Sequence, residues 1–399
     1  MKNLLNKLDN PQFENKTIHI VGTNGKGSTL TFLKNILIGH GYQIGTFISP
    51  FIVKFNERIS FNNKSISDDD LEDIVNFIFP IVKDIDNSNP DLSPSEFEII
   101  TAIMFIYFKK NPVDYLLIEA GIGGRDDSTN VVDSILTIIT NVGLDHTKLL
   151  GNTVEKIAEN KADVITKNTN VVVGKVNDSI FEKINQVAIS RNAKIARFNQ
   201  DYGFKKIDQA LYKIIDQNFI LDSNKMLMNN QVEILNATVA IEALKFILDE
   251  KLIDENIVLE SIYKTTWPGR YEKINSNPDI YIDGAHNLPA IKELNNMIIQ
   301  GQFGNKLVVI LAIFEDKDYL DMIYELLYNK NIELVLTNFN VNENRPTAKL
   351  NNYAKKFEID FYENWIDAYE SKKNKNNILF TGSLLFISEV RKKLGLFKN

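Results

Sequence analysis

The sequence predicts an α/β protein of two unequal domains built on parallel sheets, and three observations lead there. Short β-branched or aliphatic runs at 17–21, 43–49, 115–119, 135–140 and 170–174 alternate with helical segments and glycine loops. That is the order expected when helices cover a parallel sheet. The alternation restarts at 280–283, 307–314, 332–337 and 377–380. Between the two series, TTWPGR at 265–270 brings the first proline since Pro112 and breaks the preceding helix. The boundary is placed there, with one domain over 1–266 and a smaller one over 267–399.

The elements follow in order. The run 17–21 enters GTNGKGST (22–29), after which Leu30, Phe32, Leu33, Ile36 and Leu37 recur at helical spacing. This reads as strand, glycine loop, helix. The segment 50–66 has little periodicity and several polar residues, and is read as a functional loop long enough to close over a ligand. Ser93, Pro94, Ser95 and Glu96 read as a capping box with proline at the first helical position, opening an apolar helix to about Phe108. From 204 to 221 the pattern turns strand-like, a small β insert, and 231–248 reads as a long amphipathic helix.

Composition excludes several classes. With 44% hydrophobic and 24% charged residues the chain is an ordinary globular one, not a disordered or fibrous one. A formal charge of −7 and no basic block disfavour nucleic-acid binding. The absence of cysteine removes disulfides, thiolate zinc sites and cysteine nucleophiles, and suits a reducing compartment. The segment MKNLLNKLDNPQFEN lacks the apolar stretch of a signal peptide, and the longest aliphatic run, 307–314, is far too short for a membrane span. A cytoplasmic protein without membrane or nucleic-acid partners is therefore expected.

Scarce residues mark the loops. Only seven arginines occur, and Arg58, Arg125, Arg270 and Arg345 sit beside Gly, Pro or Asn, where a planar fork suits phosphate or carboxylate. His146 and His286 lie in polar turns, whereas His19 and His40 fall in a strand and a helix end and read as structural. GTNGKGST has the parts of a phosphate cradle: glycines, amides opening a helix, Lys26 for phosphate charge, and hydroxyls for Mg²⁺. Its spacing departs from the common phosphate-loop pattern because Gly27 separates Lys26 from Ser28, so a plain glycine turn is the competing reading. Glu119 ends a buried strand, where α/β sheets present ligands, and is followed by GIGGRDDSTN (121–130) with Arg125. In LDHT, His146 is a candidate imidazole for a second cation, and in DGAHN, Asp283 and His286 suit a ribose hydroxyl or phosphate. An ordinary turn and an ordinary strand-to-helix cap compete with these two readings.

Taken in order, GTNGKGST, SPFIVKFNERI, EAGIGGRDDSTN, GLDHTKLLGNTVEKIAENKAD, NA at Asn236, WPGRYE, DGAHN and TGSLLFISEVR resemble the folylpolyglutamate synthase/dihydrofolate synthase family. This is a branch of the Mur ligase superfamily of ATP-dependent amide ligases, and the resemblance covers nearly the whole chain. It implies an N-terminal, P-loop NTPase-like, Mur ligase central-type domain with a small β insert, and a C-terminal Rossmann-like glutamate-ligase domain. It further implies that Asn24, Gly25, Lys26, Gly27, Ser28 and Thr29 bind ATP phosphates. Ser28 and Glu119 would hold one Mg²⁺, and Ser49, Glu119 and His146 a second. Lys161 would be carbamylated by CO₂ and join Lys26, Glu119 and His146 as catalytic residues. Asn236 would meet the adenine, and Arg270, Asp283 and His286 the ribose or phosphates. Phe51, Arg58, Phe97, Glu98, Arg125 and Asp127, with Thr101 nearby, would lie in the regions that hold the pterin.

The chain departs from the family pattern at Phe51 (usually His), Asp126 (Leu), Asp163 (Gly) and Leu288 (Pro). The implied reaction joins L-glutamate to dihydropteroate, to a reduced folate, or to both, through an acyl phosphate; a bifunctional monomeric enzyme is expected. The rivals are another ligase of the superfamily, acting on a cell-wall peptide or polyglutamate, and a non-catalytic ATP- or folate-binding protein.

Overall fold

The computed structural model describes residues 1–215, 219–304, 306–339, 346–374 and 376–395. The chain forms two compact units, Met1–Thr266 and Trp267–Asn399. In the first unit, β1 (Thr17–Val21) has the sequence TIHIV and is buried throughout, as suits a strand covered on both faces. It is joined by β2 (Ile44–Phe47), β3 (Ile59–Phe61), β4 (Lys64–Ser65), β5 (Tyr115–Glu119), β6 (Leu136–Ile139), β7 (Asn170–Val173) and β8 (Lys194–Arg197). The strand order is β4-β3-β2-β5-β1-β6-β7-β8.

Register decides where the loops emerge. β1 runs parallel to β5 and β6, with Ile20 opposite Glu119 and Val21 opposite Ile139. β2 runs parallel to β5, with Phe47 opposite Ile118. Four strands therefore end side by side, and the segments that follow them leave one edge of the sheet, where α/β sheets bind ligands. Phe47, Leu116 and Ile118 pack on one face with the helix Glu96–Lys110. Val21, Ile139, Val171 and Val173 pack on the other with the helices Val154–Ala162 and Asp178–Ser190. Three antiparallel strands, β9 (Gly203–Lys206), β10 (Leu211–Ile215) and β11 (Ile220–Asp222), form the expected β insert.

The second unit holds β12 (Glu272–Asn275), β13 (Ile280–Ile282), β14 (Leu307–Leu311), β15 (Ile332–Thr337), β16 (Asp360–Tyr362) and β17 (Asn377–Thr381). Their order is β12-β13-β17-β14-β15-β16, parallel except for β12. β14 shows why its sequence is a continuous apolar run. Leu307, Val309 and Leu311 enter one core, whereas Val308 and Ile310 enter the other, so alternate side chains are buried on opposite faces. Among the described residues no helix is long and apolar enough to cross a membrane.

Three expectations are corrected. The segment 50–66 is not all loop: it carries a 3₁₀ turn at Phe55–Arg58 and the strands β3 and β4, which extend the sheet antiparallel to β2. The helix 231–248 ends earlier, at Lys245, and is not amphipathic, because Glu233, Asn236, Thr238 and Glu242 are buried along with its apolar residues. The capping box lies two residues further on: Ser95 Oγ accepts from Glu98 N at 3.3 Å and Glu98 Oε2 from Ser95 N at 2.8 Å, with Pro94 outside the helix. Ser95-Glu96-Phe97-Glu98 has the spacing at which each side chain reaches the other's main chain. Ser95→Ala is accordingly expected to lower the stability of the first unit by about 1 kcal/mol, and Ser93→Ala to change it by less than about 0.5 kcal/mol. Urea unfolding of the two variants checks this, and equal losses would restore the earlier cap.

Candidate active site

The glycine loop leaves β1 and is fastened to the segment after β6. Thr23 N donates to Asn141 O at 3.2 Å and Asn24 N to Asn141 Oδ1 at 2.9 Å. Thr140 Oγ1 donates to Asn24 O at 2.6 Å and Thr23 Oγ1 to Gly143 O at 3.1 Å. Gly25 then opens the helix Lys26–Gly39 with φ +78°, and a Cβ there would lie 2.6 Å from Asn236 Oδ1. Only glycine meets both conditions without strain.

Two ammoniums converge on this loop. Lys26 Nζ donates to Gly22 O at 3.1 Å and Lys161 Nζ to the same oxygen at 2.9 Å. Lys161 stands on the helix Val154–Ala162 and is almost wholly buried. Burial first, and then the charge of Lys26, push its pKa down to about 7 against the pull of Asp145 and Asp127. Main-chain amides and two cations around a bent loop make an anion cradle.

Beside the loop, Glu119 is buried at the end of β5, and its Oε2 accepts from Ser49 N at 3.2 Å. Ser49 Oγ is buried without a hydrogen-bond partner. Ser28 Oγ donates to Glu233 Oε1 at 3.0 Å. His146 sits in a left-handed turn, its N–H donating to Asp145 Oδ1 at 2.9 Å and its ring 3.9 Å from the same oxygen. Among the described residues no three His, Asp or Glu side chains gather into a metal-binding group. The structure therefore joins Ser49 to Glu119, whereas Ser28 and His146 have their own acidic partners. Carboxylate and hydroxyl oxygens suit Mg²⁺, which takes few protein ligands and keeps water, and the bare Ser49 hydroxyl is the observation that fits it.

The segment after β2 is wound around one acid. Glu57 accepts from Ile52 N at 2.9 Å and from Val53 N and Lys54 N at 3.0 Å each. This sets the Arg58 guanidinium 5.1 Å from the Phe51 ring centre and 5.7 Å from that of Phe55. Its Nε and Nη1 are buried without acceptors. Burial lowers its pKa, while Glu96 and Glu119 oppose the shift. Phe97 stands against Gly121, where a Cβ would meet its ring at 2.7 Å.

The other side chains assigned to the pterin regions have partners that organise the fold. Glu98 is held by Ser95 N and by the Met1 amino group. Asp127 closes its own loop, accepting from Ile122 N at 2.8 Å and Thr129 N at 2.9 Å. Thr129 Oγ1 donates to Asp127 Oδ1, so it accepts from His19 Nε2, 2.8 Å away. Burial pushes the His19 pKa down to about 4, keeping the ring neutral. Arg125 is largely exposed and pairs with Asp163, the acid that stands where the family pattern has glycine.

Within the second unit, Asp283 follows β13 directly and its carboxylate accepts from Ala285 N at 2.8 Å and Tyr271 N at 3.2 Å. Burial raises its pKa, against the nearby Arg270. Gly284 N donates to Gly269 O at 2.8 Å, tying DGAHN to the PGRY turn that carries Arg270. His286 Nδ1 lies 2.7 Å from Gly284 O, and Asn287 caps the helix Leu288–Ile299. Arg345 lies outside the described residues. Sequence reading missed Glu57 and Glu233. Glu233 is three residues before Asn236, a spacing that places both on one helix face.

No family model matches the chain. A dihydrofolate synthase/folylpolyglutamate synthase of Bacillus subtilis is 33% identical over 420 residues, spanning 99% of this chain and 94% of its own. A folylpolyglutamate synthase of Lacticaseibacillus casei is 32% identical, over 98% of this chain and 92% of its own. Among solved structures, an FPGS–AMPPCP–folate complex superposes with a TM-score of 0.85 at 30% identity, covering 98% of this chain and 93% of that one. With similarity of this extent in both sequence and fold, the chain belongs to the dihydrofolate synthase/folylpolyglutamate synthase family.

Proposed function

We propose that this protein is an ATP-dependent ligase that joins L-glutamate to dihydropteroate and to reduced folates. The observation that carries the reading is the anion cradle of Gly22–Thr29, with Lys26 and Lys161 on Gly22 O, beside the buried Glu119–Ser49 pair. The names of the relatives and the AMPPCP–folate complex of a structural neighbour support it. A carboxylate oxygen of the acceptor attacks the γ-phosphorus of ATP and ADP departs. The glutamate amine attacks the resulting acyl phosphate, loses a proton, and expels phosphate to leave an amide.

The residues divide by task. Lys26 and the amides of Gly25, Gly27 and Ser28 offset phosphate charge, while Asn24 and Thr29, whose amides are engaged by Asn141 and Gly25, line the loop; such positioning supplies most of the catalysis in phosphoryl transfer. Asn236 meets the base, and Arg270, Asp283 and His286 are nucleotide-binding residues of the second unit. Ser28 and Glu119, and Ser49, Glu119 and His146, would hold Mg²⁺, which supplies charge neutralisation when bound. Phe51, Arg58 and Phe97 offer two rings and a cation with bare donors to an aromatic acceptor substrate. Arg125 and Asp127 border that region, and Glu98 acts through the helix cap.

Purified protein with ATP, Mg²⁺ and glutamate is expected to yield glutamyl adducts by mass on dihydropteroate and on tetrahydrofolate, offered separately. Lys26→Ala is expected to lower turnover by ~10²-fold or more. An adduct on one acceptor alone would restrict the enzyme to that step, and none on either would sink the ligase reading.

Lys161 is the proposed site of carbamylation. The amine, not the ammonium, attacks CO₂ and then loses a proton. With a pKa of about 7, the reactive form dominates above that pH and fades below it. ¹³C-bicarbonate should give a carbamate resonance at pH 8 that weakens towards pH 6 and is absent in Lys161→Ala. An unchanged spectrum in that variant would exclude the site.

A further inference from the structure

The helix Gln231–Lys245 brings a carboxylate to the phosphate loop that no motif announces. Glu233 is 2% exposed and stands in the first turn, its N–H donating to Asn230 Oδ1 at 2.9 Å. Its two oxygens serve two different groups: Oε1 accepts from Ser28 Oγ at 3.0 Å, and Oε2 from Asn236 Nδ2 at 3.2 Å.

Both oxygens act as acceptors, so the Ser28 proton points at Glu233. The lone pairs of that hydroxyl are then turned away from the helix, the orientation in which a serine ligates a cation. A hydroxyl left to rotate would spend part of its time with the proton towards the metal. The second bond fixes the Asn236 amide in the same way. With Nδ2 on Glu233, Oδ1 faces Gly25, the position where a Cβ would come within 2.6 Å. One buried acid thus sets both the hydroxyl assigned to the metal and the amide assigned to the base.

We propose that Glu233 is a positioning residue for the metal–nucleotide complex, acting through Ser28 and Asn236. The inference rests on the nucleotide reading above. Outer partners of metal ligands typically matter by roughly 10–100-fold in metal affinity. Glu233→Ala is therefore expected to weaken AMPPCP binding in the presence of Mg²⁺ by ~10-fold or more, and to weaken it much less when EDTA replaces the metal. Once Ser28→Ala is present, the added Glu233→Ala should cost little of the metal-dependent affinity, because the two act as one unit.

Titration calorimetry of the full chain with AMPPCP, with Mg²⁺ and with EDTA, tests this, and thermal melting of each variant reports folding. Glu233→Gln keeps the shape but can accept from only one of the two donors, so it serves if the alanine variant does not fold, with the same metal-selective loss expected. Equal weakening with and without Mg²⁺, or additive losses in the double variant, would make Glu233 a structural cap and overturn the inference. Wild-type protein that binds no AMPPCP would overturn the nucleotide reading as well, which separates the two failures.

Discussion

Two lysine ammoniums share one main-chain oxygen, Gly22 O, and the site is arranged around that unresolved positive charge. Like charges repel most strongly where water is excluded, and burial first, then the charge of Lys26, bring the Lys161 pKa down to about 7. The loop tolerates the pair because it is anchored elsewhere, through Thr140, Asn141 and Gly143 on the neighbouring strand exit. A multiply charged anion seated on the loop amides, as proposed, would offset the repulsion. The parallel register decides what surrounds the loop, since β5 delivers Glu119 and β2 delivers Ser49 to the same edge.

The parts of this arrangement legible in the sequence are those that local physics specifies. A β-branched run before glycines and a helical apolar pattern after them identify β1, the loop and its helix. Five consecutive apolar residues in β14 identify a strand buried on both faces. Less legible were features depending on which of two near-equivalent partners the fold selects. Ser93 and Ser95 both precede an acid, and only reciprocal bonding to Glu98 decides between them. The short strands β3 and β4 carry almost no periodicity, so their pairing with β2 is imposed by tertiary contact. Glu233 was hidden for a related reason: a glutamate in a first helical turn is expected as a cap residue, and only folding brings Ser28, 205 positions away in the chain, to its carboxylate.

The polar residues that were legible as a group also divide by what holds them. Arg58 keeps buried donors without acceptors, whereas Asp127 and Glu98 spend their oxygens on main-chain N–H groups and on the amino terminus. A motif names all of these residues alike. The hydrogen-bond inventory separates those with unused capacity, which suit a ligand, from those whose capacity keeps the loop in place for it.

Charge balance links the proposed carbamylation to this division. Beside the loop stand the carboxylates of Glu119 and Glu233 and the hydroxyls of Ser28 and Ser49, and Glu233 is already engaged by Ser28 and Asn236, which leaves little negative charge for divalent cations. Converting Lys161 to a carbamate would reverse the sign of its charge, removing its repulsion with Lys26 and adding an acceptor beside Gly22. The burial that makes the ammonium costly also frees the amine to react at neutral pH. On this view the same desolvation that depresses the Lys161 pKa would let a buried lysine contribute a further acid to a site where, among the described residues, no three His, Asp or Glu side chains gather.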